Sequence, residues 1–381
     1  MTENGLGQVL GSLRRHPDVE AANLQAWDAT DSLLLDAASG LLTPDSTVAV
    51  IGDNYGALTL GLLAGGPGPV PAEVRVHQDL VTGERALRNN AAALGVAAGF
   101  TQLPLGTELL SGADLVLLQL PRTLAELEEI SDAVARYAPA GAVLLAGGRV
   151  KHMSLGMNAV LGKYFAKVQP QLARQKSRLL IASDLLRAEG TPPYPVTDHN
   201  AELDLDICAH GAVFAGTRLD IGTRFLLTFL PEIPAVARAV DLGCGTGILA
   251  AMYARRNPGA EVLATDRSAA AVASAGATAR ANGLAGITAV QDDAMSTLPA
   301  GSADLILLNP PFHLGSSVHA GAGLKLFEAA GRVLAPGGQL WTVYNSHLRY
   351  GPALERLVGP TTVKGRNPKF TVAASVRRAA G

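Results

Sequence analysis

Four residues in the C-terminal part of the chain, Asn309-Pro310-Pro311-Phe312, have the types and order needed to hold a planar amino group. They follow the run 303–308, which predicts a buried β-strand because it is short and aliphatic and two prolines end it. The amide oxygen of Asn309 and the carbonyl of Pro310 can accept hydrogen bonds from one NH2 group, and Phe312 can stack on its ring. Fixed acceptors would stabilise the positive charge that develops when such an amine is alkylated. We therefore predict a catalytic site formed by Asn309, Pro310, Pro311 and Phe312.

A glycine-rich loop, 241–247, lies upstream between a predicted strand, 237–240, and a predicted helix, 248–256. Glycine lets the backbone turn tightly and lets a ligand approach it closely. The loop also contains an acid, Asp241, which suits a ligand with an ammonium group better than it suits a pyrophosphate. The loop residues predicted to bind such a cofactor are Asp241, Gly243, Gly245 and Gly247.

Acids also end the next two predicted strands, 261–265 and 287–290. Asp266 is placed to bind a ribose diol, as comparable acids do in nucleotide-binding folds. Asp293 can accept a hydrogen bond from an adenine amino group. Because Asn309 ends a fourth strand, we expect all these side chains at the carboxyl edge of one parallel sheet, with Asn309 beside the cofactor as well.

Together these residues resemble the motifs of class I S-adenosylmethionine-dependent methyltransferases. The Asn-Pro-Pro-aromatic form is shared by enzymes that methylate adenine N6, cytosine N4, guanine N2 or a glutamine side-chain amide in release factors. The chain is more specifically similar to bacterial ribosomal RNA guanine-N2 methyltransferases of the small- and large-subunit type, with the large-subunit type slightly favoured. The segments that carry this similarity are 213–214, 219–222, 309–313, 344–348 and 367–370.

The resemblance implies S-adenosyl-L-methionine as the cofactor and ribosomal RNA or a ribosomal subunit as the partner. A guanine flipped out of its RNA would then be methylated on N2. We expect Phe214 and Asp220 to cover the cofactor. The residues expected to contact the substrate are Phe312, His313 and Arg218.

The first half of the chain is a degenerate copy of the second half. Segment 113–121 matches 303–311, and segment 50–56 matches the loop 241–247 at nearly the same offset, which indicates a duplicated domain. We therefore predict an α/β fold with two tandem Rossmann-like class I methyltransferase domains. The first is expected to lack cofactor and catalysis and to support the second or bind RNA. The residues that replace the predicted site in the first copy are Val50, Asn54, Gln119, Leu120 and Arg122.

The domain limits follow from a proline-rich segment, 191–195, which cannot continue a helix or a central strand. We predict a degenerate domain at 1–190, a linker at 191–200 and the catalytic domain at 201–381. No apolar run approaches the roughly 20 residues needed to cross a bilayer, and the N-terminus lacks a signal-peptide pattern. One of only two cysteines lies inside the glycine loop, so we expect a reducing cytoplasm. The histidines form no cluster, so we predict no metal, and a tandem duplication favours a monomer.

The net charge of −2 argues against a general nucleic-acid coat protein, but basic residues are concentrated in two segments. Segment 149–187 contains eight and segment 349–378 contains seven, and such clusters can neutralise phosphates. Three alternatives remain open: methylation of a glutamine amide in a protein, methylation of adenine N6, and a non-catalytic RNA-binding or ribosome-assembly factor. The intact acids and glycines of the second half speak against the last of these.

Overall fold

The computed structural model of the protein describes residues 4–21, 23–310 and 317–378. The chain divides into two compact units, Met1–Tyr194 and Pro195–Gly381, so the division falls inside the segment 191–200. Pro311, Phe312 and His313, which the sequence assigns to catalysis and substrate contact, lie outside the described residues.

The first unit contains a seven-stranded sheet. Its strands are β1 (Thr47–Ile51), β2 (Glu73–His77), β3 (Thr101–Gln102), β4 (Leu115–Gln119), β5 (Val143–Arg149), β6 (Phe165–Pro170) and β7 (Ser177–Leu185). Its helices are α1 (Asn4–Ser12), α2 (Ala29–Ser39), α3 (Ala57–Ala64), α4 (Val81–Leu94), α5 (Thr107–Leu110), α6 (Leu124–Tyr137) and α7 (Leu155–Leu161). The strand order is β3-β2-β1-β4-β5-β7-β6, with the first five strands parallel and β7 antiparallel to both of its neighbours.

Two aliphatic cores cover the two faces of this sheet. Alternate residues of β1 point to opposite faces, so Val48 and Val50 pack with α2, α3 and α4, whereas Ala49 and Ile51 pack with α5, α6 and α7. A strand buried on both faces reads as a continuous apolar run, which is why β1 and β4 were recognisable from sequence.

The second unit contains a sheet of the same size and a separate hairpin, β8 (Val196–Asn200) and β9 (Leu205–Ala209). The sheet strands are β10 (Arg238–Leu242), β11 (Glu261–Asp266), β12 (Ile287–Gln291), β13 (Ala303–Leu308), β14 (Leu334–Asn345), β15 (Thr361–Arg366) and β16 (Phe370–Val376). The helices are α8 (Ile221–Leu227), α9 (Ile248–Arg256), α10 (Ala269–Ala281), α11 (Ser317–Val333) and α12 (Gly351–Leu357). The strand order, β12-β11-β10-β13-β14-β16-β15, repeats that of the first unit.

The two sheets agree in pairing register as well as in order. Val50 pairs with Leu117 in the first sheet, and their sequence counterparts, Asp241 and Leu307, pair in the second. The predicted α/β class with two Rossmann-like domains is confirmed. No described helix is long and apolar enough to cross a membrane.

Three strands extend further than the sequence predicts. The strands predicted at 261–265 and 287–290 each continue for one more residue, as β11 and β12. The strand predicted at 237–240 extends to Leu242, because the parallel ladder with β11 continues through Asp241 and Leu242. The strand 303–308 and the helix 248–256 have the predicted limits.

Candidate active site

The predicted site residues of the second unit meet at the carboxyl edge of the parallel strands. Asp241 lies in β10, Asp266 ends β11, Asp293 follows β12 and Asn309 follows β13. Since β10 lies between β11 and β13, the glycine loop after β10 occupies the centre of this edge. This is where open α/β sheets bind ligands.

The three glycines of the loop have different roles. All have positive φ, at 72° for Gly243, 53° for Gly245 and 78° for Gly247, which favours glycine. A Cβ added at Gly243 or Gly245 would meet no described atom within 4 Å, so the backbone there borders open space. A Cβ at Gly247 would lie 2.9 Å from the Cα of Ala275. Gly247 therefore allows α10 to approach, whereas Gly243 and Gly245 leave room for a ligand.

The carboxylate of Asp241 is satisfied at one oxygen only. Its Oδ2 accepts a hydrogen bond from the N–H of Ala250, in the first turn of α9, at 2.9 Å. Its Oδ1 is buried and has no hydrogen-bond partner among the described residues. Burial raises the pKa of Asp241 to about 7, and the nearby charge of Asp266 adds to the effect. A cationic group placed at Oδ1 would relieve both penalties.

The carboxylate of Asp266 fixes the position of the glycine loop. Its Oδ2 accepts from the N–H of Gly245 at 3.1 Å, and its Oδ1 accepts from the N–H of Ser268 at 3.0 Å. The two sides of the ligand edge, the β10 loop and the β11 loop, are thereby connected through one side chain.

Asp292 and Asp293 follow β12 but do different things. Burial by itself would raise the pKa of Asp292, but hydrogen bonds from Ser296 and Thr297 outweigh it and lower that pKa. The carboxylate of Asp293 instead lies 2.5 Å from the Nζ of Lys325, on α11. The sequence does not reveal Lys325 as a partner of Asp293, because a lysine on a helix 32 residues away has no local spacing signal.

The side-chain amide of Asn309 is held in one orientation. Its Nδ2 donates to Asp220 Oδ2 and to Thr223 Oγ1, both at 2.9 Å. Asp220 is itself held as the N-cap of α8, where it accepts from the N–H groups of Gly222 and Thr223. The amide oxygen of Asn309 is consequently directed away from these partners, and it is buried without a hydrogen-bond partner among the described residues. The site thus presents one acceptor in a fixed position.

The sequence predicts that Asp220 covers the cofactor, and the structure adds a contact between its carboxylate and the amide of Asn309, together with Thr223, which the sequence did not reveal. Asp220 binds the amide of Asn309 and caps α8. The Asp-x-x-Thr spacing at a helix start was the available signal, because residues at N-cap and N3 face the same turn. Phe214 is 67% exposed, and Arg218 is exposed with its main-chain N–H donating to Ala215.

Removal of the Asp220 carboxylate provides a direct test of this positioning. In Asp220→Ala, the amide of Asn309 loses a charge-assisted partner and can rotate, so we expect kcat to fall by about 10²-fold, as misplacement of a reacting group does. The affinity for the methyl donor should remain unchanged, as measured by calorimetry. Glu202→Ala is the matched control, because Glu202 is an exposed acid that forms an ion pair with Arg224 of α8, the helix that Asp220 caps. Equal kcat values for Asp220→Ala and the control would show that Asp220 only caps α8.

The first unit shows how the corresponding edge is closed. Gln78, the counterpart of Asp266, is buried and donates from its amide to the carbonyl of Asp53 in the loop after β1. Asp53 also accepts from the N–H of Thr59 at 2.8 Å, which replaces the bond between Asp241 and Ala250. In the first unit the acid that binds the start of the helix, Asp53, lies in the loop after β1 and not in the strand. Gln78 occupies the side of this loop at which a ligand would bind. The first domain is thus degenerate at the cofactor position.

The basic segment 149–187 is more neutral in the fold than in the sequence. Acids from elsewhere in the first unit pair with Arg149 (Asp28, 3.9 Å), Lys163 (Glu128, 2.6 Å) and Arg174 (Asp36, 3.9 Å). Lys167 pairs within the segment, with Asp184. In the segment 349–378, by contrast, Lys364 is the one basic residue that forms an ion pair with a described residue, Glu232 at 3.8 Å.

Among the described residues no group of three or more His, Cys, Asp or Glu side chains has the arrangement of a metal site.

Comparison with known proteins agrees over both halves of the chain. Residues 1–185 match the family model described as the RLMG N-terminal domain, and residues 204–374 match the methyltransferase small domain. A ribosomal RNA large subunit methyltransferase G of Streptomyces avermitilis is 35% identical, covering 96% of this chain and 97% of that protein. The protein of the same description from Pseudomonas aeruginosa is 37% identical, covering 94% and 96%.

A solved structure extends this agreement to the fold. A T. thermophilus 16S rRNA N2 methyltransferase, in complex with AdoMet and guanosine, superposes with a TM-score of 0.72 at 22% identity, covering 92% of each chain. At that identity the superposition shows the tandem fold alone. The sequence relatives cover nearly the whole length at more than 30% identity, and the chain belongs to the ribosomal RNA large subunit methyltransferase G family.

Proposed function

We propose that this protein transfers a methyl group from S-adenosyl-L-methionine to the exocyclic N2 amine of a guanine in ribosomal RNA of the large subunit. One observation carries the proposal: the amide oxygen of Asn309 is buried, has no hydrogen-bond partner among the described residues, and is held in position by Asp220 and Thr223. A buried acceptor without a partner is costly, and a substrate N–H would relieve that cost. The family relationship supports the nucleic-acid substrate and the subunit.

The residues around the glycine loop fit the methyl donor. Asp241 offers to the ammonium group its Oδ1, which no described residue binds, and the open backbone at Gly243 and Gly245 leaves room for the ligand. When bound, S-adenosylmethionine supplies an electrophilic methyl group on its sulfonium. The residues that we propose to hold it are Asp241, Gly243, Gly245, Asp266 and Asp293, with Asn309 beside its methyl group, while Gly247 lets α10 pack against the loop.

The protein orients the guanine amine for methyl transfer, and the amine nitrogen then loses a proton. Asn309 and the carbonyl of Pro310 accept the two N–H groups of the guanine amine, orient its nitrogen and stabilise its developing positive charge. We propose that Phe312 stacks on the base, that His313 and Arg218 contact the RNA, and that Pro311 belongs to the catalytic set, as the sequence predicts. After transfer the nitrogen is acidic enough to lose its proton to water. The base must be unstacked first, because a paired guanine hides this amine.

Three basic residues of the C-terminal segment lie at the edge of the sheet where RNA would approach. The turn between β15 and β16 is fixed to the end of β14 through the N–H of Ser346, which donates to the carbonyl of Lys369 at 2.9 Å. Since β14 is parallel to β13, this turn shares the carboxyl edge with Asn309. Lys369, Arg366 and Arg349 are exposed there and can bind phosphates.

Label transfer tests the function as a whole. Ribosomal RNA and large subunits from a strain lacking this gene are incubated with the protein and tritiated S-adenosylmethionine, and the nucleosides are then separated. We expect the label in N2-methylguanosine from large-subunit RNA. Label in N6-methyladenosine or only in protein would overturn the proposal in favour of the corresponding alternative, and absence of donor binding would favour a non-catalytic assembly factor.

The raised pKa of Asp241 predicts a proton release on donor binding. Below pH 7 the free protein holds this carboxyl mostly protonated, and an ammonium group at Oδ1 favours the ionised form. Donor affinity should therefore rise with pH up to about 7, by at most about tenfold per pH unit. Calorimetry at pH 6 in buffers of different ionisation enthalpy should detect close to one released proton, and none in Asp241→Asn. Release that is equal in the two proteins would place the ammonium elsewhere.

We extend the proposal to the organisation of the chain, with a degenerate domain at 1–190, a linker at 191–200 and a catalytic domain at 201–381. We also propose a monomer, because the chain contains a tandem duplication, and a cytoplasmic location, because one of the two cysteines lies inside the glycine loop. Both cysteines are free and buried, which is consistent with a reducing compartment.

A further inference from the structure

The degenerate domain keeps a cavity at the position that corresponds to the amine site of the second domain. The cavity has a volume of about 110 Å³ and lies at the carboxyl ends of β4 and β5. Its lining includes Gln119, Leu120, Arg122, Arg149 and Met153. Gln119 and Leu120 are the sequence counterparts of Asn309 and Pro310.

The amide of Gln119 is anchored in the same way as that of Asn309. Its Nε2 donates to the carboxylate of Asp31, in the first turn of α2, at 2.5 Å. Asn309 makes the equivalent bonds to the first turn of α8. The domain has therefore lost the cofactor side of the cleft, which Gln78 fills, and has retained the side that holds a flat polar group.

The size and surroundings of the cavity indicate its occupant. Pockets for drug-sized ligands occupy roughly 300–1,000 Å³, so this cavity has room for a single ring system and not for a complete cofactor. Asp28 lines it beside Arg149 and can accept from an amino group. Arg122 lines the cavity and is exposed, and Lys151 and Leu155, which is 86% exposed, flank the lining residues His152 and Met153 in the chain. Basic and aliphatic groups side by side suit a base attached to phosphates.

We propose that this cavity binds one unpaired nucleobase of the substrate RNA and does not modify it. Gln119 bonds the base edge, Leu120 and Met153 contact its face, and Arg122 and Lys151 bind the adjacent phosphates. The proposal rests on the RNA substrate of the proposed function. It gives the degenerate domain a specific role, which is to hold a second nucleotide while the target guanine is methylated.

The labelling rate of a cysteine placed in the cavity measures whether a ligand occupies the cavity. Both natural cysteines are buried, so Met153→Cys adds the reactive thiol to an otherwise unreactive protein. The rate of maleimide labelling is measured in the full chain with ribosomal RNA containing unpaired segments, with a fully paired RNA duplex, with guanosine monophosphate and without ligand. Val70→Cys is the control, because Val70 is 55% exposed and precedes β2, at the opposite edge of the sheet.

We expect the RNA with unpaired segments to slow the labelling of Met153→Cys at least about tenfold, as burial of a contact residue does, and to leave Val70→Cys unchanged. Equal protection by the duplex would mean that RNA covers the surface without inserting a base, and this would overturn the proposal. Protection by guanosine monophosphate without protection by RNA would overturn it in favour of a free-nucleotide site.

A second variant covers the case in which Met153→Cys perturbs the cavity. Arg122→Glu should raise the Kd for this RNA by about tenfold and leave the Kd for S-adenosylmethionine unchanged. Arg88→Glu, an exposed arginine on α4 that does not line the cavity, should change neither. Equal RNA affinities for the two variants would contradict the proposal. Methylated RNA with an unprotected cavity would overturn this inference alone, whereas protection without methylation would overturn the proposed function alone.

Discussion

Replacement of Asn309 by alanine is expected to lower kcat by about 10²- to 10³-fold, the loss seen when one preorganised polar group is removed from a transition state. The substrate amine would keep one acceptor, the carbonyl of Pro310, and its nitrogen would no longer be fixed toward the methyl group. The Kd for S-adenosylmethionine should change little, because Asp241, Asp266 and the glycine loop remain in place. Single-turnover transfer and calorimetry measure the two quantities separately.

The structure also predicts that Asn309→Ala has only a small effect on thermal stability. The wild-type Asn309 side chain donates two hydrogen bonds, to Asp220 and Thr223, and its own oxygen is buried without a hydrogen-bond partner among the described residues. Loss of the bonds and removal of the unpaired oxygen act in opposite directions, so the melting temperature should shift by only a few degrees. Near-normal turnover in Asn309→Ala would show that the proposed mechanism is wrong.

A matched variant is available from the first domain. Asn309→Gln introduces the residue of the degenerate copy, with the same amide on a side chain one methylene longer. The acceptor would then be displaced by more than 1 Å, so kcat should fall by about 10²-fold although the hydrogen-bonding group is retained. Activity close to the wild type in Asn309→Gln would show that the amide orientation is not decisive.

Replacement of Gly245 by asparagine is expected to abolish measurable binding of S-adenosylmethionine, with Kd raised by about 10²-fold or more if the side chain fills the space beside the loop. Asparagine also comes from the first domain, where Asn54 occupies the equivalent position. The φ of Gly245 is 53°, a left-handed conformation that asparagine tolerates, and a Cβ there meets no described atom within 4 Å. The fold should therefore persist, while the ligand space is occupied.

Gly247→Ala is the control for this prediction. A Cβ at Gly247 would lie 2.9 Å from Ala275 on α10, and φ is 78°, so this variant should lose about 1–3 kcal/mol of stability through overpacking and strain. Thermal unfolding and calorimetry with the donor distinguish the two glycines. If Gly245→Asn bound the donor normally, the open space beside Gly245 would not be the cofactor site.

Much of the fold could be predicted from local patterns. Strands buried on both faces appear as short aliphatic runs, so β13 had the predicted limits. The helix α9, which follows the glycine loop, also had the predicted limits. The matching runs at one offset revealed the duplication. Parallel strands bring their carboxyl ends to one edge, so the sequence alone places the motif residues together. The limit of β10 was missed, because an acid within a strand is rare and pairing with β11 and β13 keeps Asp241 extended.

The sequence by itself determined the fold class, the duplication, the family and the edge of the sheet at which the chemistry lies. Tertiary structure alone decided which way the Asn309 amide points, since its partner Asp220 lies 89 residues away. It also decided that Gly247 serves helix packing, that Lys325 pairs with Asp293, and that half of one basic segment is neutralised by acids. The physical reason is that secondary structure follows from short-range periodicity, whereas a hydrogen bond or an ion pair depends on distances that only the packed chain defines.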